Sequence, residues 1–209
     1  GATLERPMMP LSQNMWSGIA ATKAVQILWG NANYSISVTQ AVTGHGTRFK
    51  GFSPGNESTN TGTVFTWTGA SGGTMFTFWG LNYIKVSDVR VLANSLLTTA
   101  FQGGQQAGGG NVYGWHFVNV RAPGGQGAVV NGVQAMLDLH GPSGGSVQDS
   151  LFENCGFTGG YAAVNIGHSE NLFNQVQFDG EGTTSYGMLV NASASPTCVS
   201  CLFTGSDVA

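Results

Sequence analysis

The sequence predicts an all-β fold of one kind: a right-handed single-stranded parallel β-helix, a solenoid of short strands, preceded by a short N-terminal extension. Three observations predict it. A six-residue strand motif recurs through the C-terminal half, a shorter strand motif precedes its later copies, and glycine-rich stretches separate the two.

Composition agrees with a turn-rich β protein. The 209 residues suffice for one domain with a sizeable core. Hydrophobic residues make up 41% and charged residues only 8%, against roughly a quarter in ordinary soluble domains. With 33 glycines, plentiful aromatic and branched side chains and a net charge of −3, the chain is foldable and has a polar, largely uncharged surface. The seven basic residues are scattered along the sequence, which argues against a nucleic-acid partner. No apolar run reaches the roughly 18 residues that a membrane-spanning helix needs, so no membrane is expected. No signal peptide is visible, and the opening Gly1-Ala2-Thr3 suggests a processed product or an excised fragment.

The elements follow in order. Residues 1–23 read as an N-terminal extension, either a cap or an arm that docks on another subunit through Met8, Met9, Met15 and Trp16. Within 13–28, the spacing of Met15, Trp16, Ile19, Ala20, Ile27 and Leu28 predicts a short amphipathic helix running into a strand. The β-helix is expected to occupy 24–209. It begins with a strand at 25–28, a turn at Gly30-Asn31-Ala32-Asn33 and a strand at 34–38. Gly46-Thr47-Arg48-Phe49-Lys50-Gly51 comes next, then β segments at 63–68 and 74–79.

From residue 86 the repeat is explicit. The pattern apolar, any, polar, apolar, any, apolar starts at Val86, Phe117, Phe152, Phe173 and Cys198, at spacings of 31, 35, 21 and 25 residues. Stacked coils convert that spacing into columns, because each strand pairs with its equivalent about 4.8 Å away. Val89, Val120, Cys155, Val176 and Cys201 form one inward ladder, and Val91, Ala122, Phe157, Phe178 and Phe203 another. Asp88, Asn119, Asn154, Gln175 and Ser200 form a polar column at a bend, where side chains can hydrogen-bond up and down the stack. A second register aligns Leu137-Asp138-Leu139, Val164-Asn165-Ile166 and Val190-Asn191-Ala192. The last motif runs to Phe203, so the C-terminal end is expected to be uncapped, with Val190, Cys198, Cys201 and Phe203 facing solvent unless more polypeptide covers them.

The order of strand, glycine-containing turn, Tyr34-Ser35-Ile36 strand and Gly46-Thr47-Arg48-Phe49-Lys50-Gly51 resembles the first coil of pectate-lyase-superfamily β-helices, which include many bacteriophage tailspikes. With the later coils, the resemblance spans residues 24–203. It implies a virion-surface or extracellular location and a structural role as tail spike, fibre segment or capsid decoration. It further implies a homotrimer, contacts with other virion proteins, and binding to a host glycan. The alternative is a polysaccharide lyase or glycoside hydrolase, since one fold hosts many activities.

Candidate site residues are few. Arg90 and Arg121 share a column, where two like charges require solvent or an anionic partner, and Glu153 and Asp179 sit on neighbouring coils. These four are the expected carbohydrate-binding residues. Catalytic residues are not assigned. Gly44-His45-Gly46 matches a polygalacturonase tripeptide but lies in the first coil without the accompanying aspartates, so a turn is the expectation. Asp138 heads a column with Asn165 and Asn191, a ladder and not a calcium cage. Cys198-x-x-Cys201 lacks companion zinc ligands, and with Cys155 the three cysteines read as free core thiols. No metal and no cofactor are expected.

Overall fold

Alternation of apolar and polar residues at period two, divided by glycines, gives short strands with one buried face. In the computed structural model the described residues are 9–17, 23–55, 61–94, 96–105, 111–123, 135–140, 145–167, 170–180, 186–190 and 196–204. Among them the chain is all-β and contains no helix. Every pairing between strands is parallel, with one isolated antiparallel bridge between His140 and Ser146.

The longest sheet runs through Asn33–Ile36, Val64–Trp67, Lys85–Leu92, His116–Ala122, Ser150–Glu153, Asn171–Asn174 and Thr197–Val199. Its two long strands each face two shorter neighbours. Lys85–Leu92 pairs with Arg48–Lys50 before residue 88 and with Val64–Trp67 after it. His116–Ala122 pairs likewise with Ser150–Glu153 and Gly156–Gly159. A second sheet joins Gln40–Ala41, Gly73–Trp79, Leu97–Gly104, Ala135–Asp138, Ala162–Ile166 and Tyr186–Val190, and Val112–Tyr113 with Val147–Gln148 forms a third.

The registers are those read from the repeat. Phe117 pairs with Val86 and Phe152, Phe152 with Phe173, and Phe173 with Cys198. Ala122, Phe157, Phe178 and Phe203 pair in series. Val89 pairs with Val120, and the amides of Gln177 and Leu202 bond to the carbonyls of Cys155 and Val176, which continues that column across the bend.

The bend is a column of left-handed residues. Asp88, Asn119, Asn154, Gln175 and Ser200 have φ of 59°, 57°, 47°, 54° and 51°. That conformation costs most L-residues roughly 1–2 kcal/mol, least for Asn and Asp, whose short polar side chains bond locally. Here those side chains bond along the stack. Asn119 Nδ2 donates to Asp88 Oδ1 at 2.9 Å, and Asn154 Nδ2 donates to Asn119 Oδ1 at 3.3 Å.

The core lies between the first and second sheets. Phe76, Phe101, Leu137, Val164 and Met188 are paired in register on one side. Phe49, Val86, Phe117, Phe152 and Phe173 form the column on the other side, all buried. The sheets meet at Phe101 and Phe117, whose ring centroids are 5.2 Å apart at 86°. Such edge-to-face pairs add about 0.5–1.5 kcal/mol to the burial itself.

Four expectations require correction or refinement. Residues 15–17 form a turn and Gln26–Leu28 a strand, so no helix is present in the described part of 13–28. The strand Met9–Leu11 pairs with Asn33–Ile36 and Trp16 is fully buried, so this segment is joined to the sheet of its own chain. In the second register, Val164-Asn165-Ile166 pairs with Met188-Leu189-Val190, two residues before the expected match. Met188 and Val190 both satisfy the alternation, so the sequence did not distinguish them; Asn191 and Ala192 lie outside the described residues. Finally, of the three free cysteines only Cys155 is buried, while Cys198 is exposed and Cys201 half-buried. The layer that holds the last two has no neighbour on its outer side among the described residues, and Val190, Val199, Leu202 and Phe203 are likewise exposed.

Candidate functional site

Strand alternation decides which side chains leave the sheet. With Phe49, Val86 and Phe117 turned inward, their neighbours Arg48 and Lys50, Lys85 and Ser87, and His116 and Val118 emerge on the outer face. In-register pairing then sorts these neighbours into two rows. One row is Gln26, Arg48, Lys85 and His116; the next is Leu28, Lys50, Ser87, Val118 and Glu153.

These rows border a concavity of about 360 Å³, lined by Gln26, Arg48, Lys50, Lys85, Ser87, Asp88 and Val118 together with Phe49. Three of the chain's seven Lys and Arg residues meet there. Arg48, Lys50 and Lys85 are all exposed, and among the described residues none makes a side-chain hydrogen bond or ion pair. Like charges about 4–5 Å apart repel by roughly 1 kcal/mol in water. An anionic ligand relieves that repulsion, and salt screens it. Asp88 places one carboxylate at the inner edge of the concavity, where Asn119 already occupies one oxygen.

Beside the concavity, His116 Nε2 lies 2.9 Å from Glu153 Oε2, both about one-third exposed. This pairing ends the row of unpartnered cations, and it places two groups capable of proton transfer on the same outer face.

The four residues expected from the sequence do not assemble into one site. Arg90 and Arg121 do pair in register. Arg90, however, is only 8% exposed, with Nε donating to the Pro54 carbonyl at 2.9 Å and Nη2 to that of Gly55 at 3.3 Å. Arg121 donates to the Asn154 carbonyl at 2.6 Å and to Asn154 Oδ1 at 3.1 Å. Both guanidiniums are bonded to backbone carbonyls, Arg90 buried and Arg121 half-buried. Glu153 is engaged by His116, while Asp179 lies beyond the bend, paired with Thr158 and Thr204.

Other candidates resolve into structure. Gly44-His45-Gly46 is a turn in which both glycines have positive φ, and His45 Nδ1 accepts the Asn82 backbone N–H at 3.0 Å. Asp138 and Asn165 form the expected ladder, joined at 3.0 Å, and Gln102 donates to the same carboxylate at 2.9 Å. Burial pushes the Asp138 pKa up, although the hydrogen bonds from Gln102, His140 and Asn165 oppose this. Among the described residues, no three His, Cys, Asp or Glu side chains converge on a common point.

The cationic concavity was missed because its members are far apart in sequence. A signal was present: Arg48 and Lys85 each immediately precede an inward residue of the same column, Phe49 and Val86. Extending the repeat back through Gly46-Thr47-Arg48-Phe49-Lys50-Gly51 would have aligned them. No family model, curated protein or solved structure matches this chain.

Proposed function

We propose that the chain is a right-handed single-stranded parallel β-helix acting as a virion-surface structural protein, a tail spike, fibre segment or capsid decoration that binds carbohydrate on the host surface. The observation that carries this reading is the register. Five successive layers superpose Val86, Phe117, Phe152, Phe173 and Cys198, each followed two positions later by a left-handed residue, the column from Asp88 to Ser200. Solenoids stack equivalent residues in this manner, and they offer long rigid lateral faces for recognition. The outer face with Arg48, Lys50 and Lys85 is the proposed glycan contact. The exposed apolar side chains Leu28, Phe52, Leu172 and Val199 are surface available to neighbouring subunits of a homotrimer or to other virion proteins.

Retention of the protein on immobilised acidic and neutral polysaccharides, together with a light-scattering mass, tests both halves of the proposal. Binding to at least one polysaccharide without new reducing ends or unsaturated sugars, at three times the chain mass, is the expected result. A monomer that ignores every polysaccharide overturns it.

The second reading, a polysaccharide lyase or glycoside hydrolase, is favoured by the His116–Glu153 pair on the same face. Release of new sugar ends that stops in Glu153→Gln would decide for it.

A further inference from the structure

We infer that the ligand of the Arg48–Lys50–Lys85 concavity is anionic: an acidic polysaccharide whose carboxylate or sulfate groups sit between these three side chains. This rests on the carbohydrate-binding reading above and specifies its chemistry. Arg48 and Lys85 are register partners on adjacent strands, about 4.8 Å apart at the backbone, and Arg48 and Lys50 are two residues apart on one strand, about 6.6 Å. The three cationic heads therefore crowd one patch of a chain whose net charge is −3. All three are exposed, and among the described residues no carboxylate pairs with them. The carboxylates on the same face are already held, Glu153 by His116 and Asp88 by Asn119.

The rest of the lining selects a sugar over other polyanions. Gln26 offers an exposed amide to ring hydroxyls, Ser87 lines the floor with only 6% of its surface exposed, and Val118 offers an apolar patch to the C–H face of a ring. The second oxygen of Asp88 accepts a hydrogen bond from a sugar hydroxyl. A phosphate chain, lacking hydroxyl donors along its length, meets only repulsion from that carboxylate.

The test measures binding of dextran sulfate, hyaluronate, uncharged dextran, polyphosphate and single-stranded DNA by titration calorimetry at low and physiological salt. The protein is compared with a triple variant, Arg48→Gln, Lys50→Gln, Lys85→Gln, and with Lys23→Gln, an exposed lysine outside the lining. Thermal melts check folding, and Lys85→Gln alone serves if the triple variant does not fold. The expected result is binding of dextran sulfate or hyaluronate that weakens with salt, falls about tenfold or more in the triple variant and is unchanged in Lys23→Gln. Tighter binding of hyaluronate assigns carboxylate as the preferred group, and tighter binding of dextran sulfate assigns sulfate. Equal binding of uncharged dextran, or undiminished binding by the triple variant, overturns the anionic inference and leaves the carbohydrate reading standing. Groove-dependent binding of polyphosphate or DNA that exceeds every glycan overturns the choice of ligand. Failure to bind any polysaccharide overturns both.

Discussion

Asn119 donates its side-chain amide to the carboxylate of Asp88 one layer away, at 2.9 Å, and both residues hold the left-handed conformation. The backbone needs a bend at this position, and the side chain that tolerates the bend also ties it to the next one. Replacing Asn119 by Gly keeps the conformation and loses the ties, whereas Asn119→Ala loses both. Alanine should therefore be the more destabilising, by about 1 kcal/mol relative to glycine. Urea unfolding of the two variants checks the order, and equal midpoints would remove the bend from the account.

Arg90 is a structural residue, held to the loop carbonyls of Pro54 and Gly55. Arg90→Ala should cost about 1.5–3 kcal/mol of stability, the range for hydrogen bonds made by a charged group. The proposed glycan binding, measured on the folded fraction, should be unchanged. A variant with wild-type stability and lost binding would restore Arg90 to the ligand site.

Asp138 carries a prediction about pH. Its pKa is raised by burial above the ordinary value of 3.8, so the folded chain holds this proton more tightly than the unfolded chain. The charged form therefore disfavours folding at neutral pH, and stability from this group increases as pH falls through the raised pKa and levels off below 3.8. In Asp138→Asn that component vanishes. Gln102 can rotate its amide to accept from the new Nδ2, and the donors Asn165 and His140 N keep an oxygen to bond. The variant should be at least as stable as wild type at pH 7, with the difference shrinking towards pH 4. Melting temperatures measured in parallel across that range provide the check, and a difference that grows on acidification would contradict the sign.

The cysteines should separate by accessibility. Cys155 is buried, and burial pushes its thiol up to about 12, so little thiolate forms at neutral pH. Partial desolvation and the neighbouring Cys201 push the Cys198 thiol up to about 12 as well, but Cys198 is exposed, so access to the sulfur separates the two. Under native, non-reducing conditions an aromatic disulfide reagent should label Cys198 first, Cys201 more slowly and Cys155 not at all. Denaturation should bring the count to three. Rapid native labelling of Cys155 would place it outside the core.

Much of this architecture was legible because its physics is local and repeated. Each inward column needs an apolar residue in every layer and each bend a polar one, so the motif from Val86 to Phe203 displayed its own register. Legibility failed where more than one residue met the same requirement. Met188 and Val190 are both apolar and share a face, so alternation alone allows either to face Val164. It failed also at the N-terminus, where Trp16 and Ile27 fit helical spacing although the described residues there form a turn and a strand.

The site shows the same division. The residue-to-residue pattern specified that Arg90 and Arg121 belong to repeated strands and share a column, since alternation and glycine punctuation are properties of neighbours along the chain; Arg48, Lys50 and Lys85 lay outside that repeat. Which of these charges meets solvent was decided by tertiary structure. The 53–55 loop folds over Arg90 and the Asn154 layer engages Arg121, while parallel pairing between residues 37 positions apart brings Arg48 beside Lys85. The reason is that an exposed charge interacts over distances of several ångströms through space, and sequence separation carries no information about that distance until the layers have stacked.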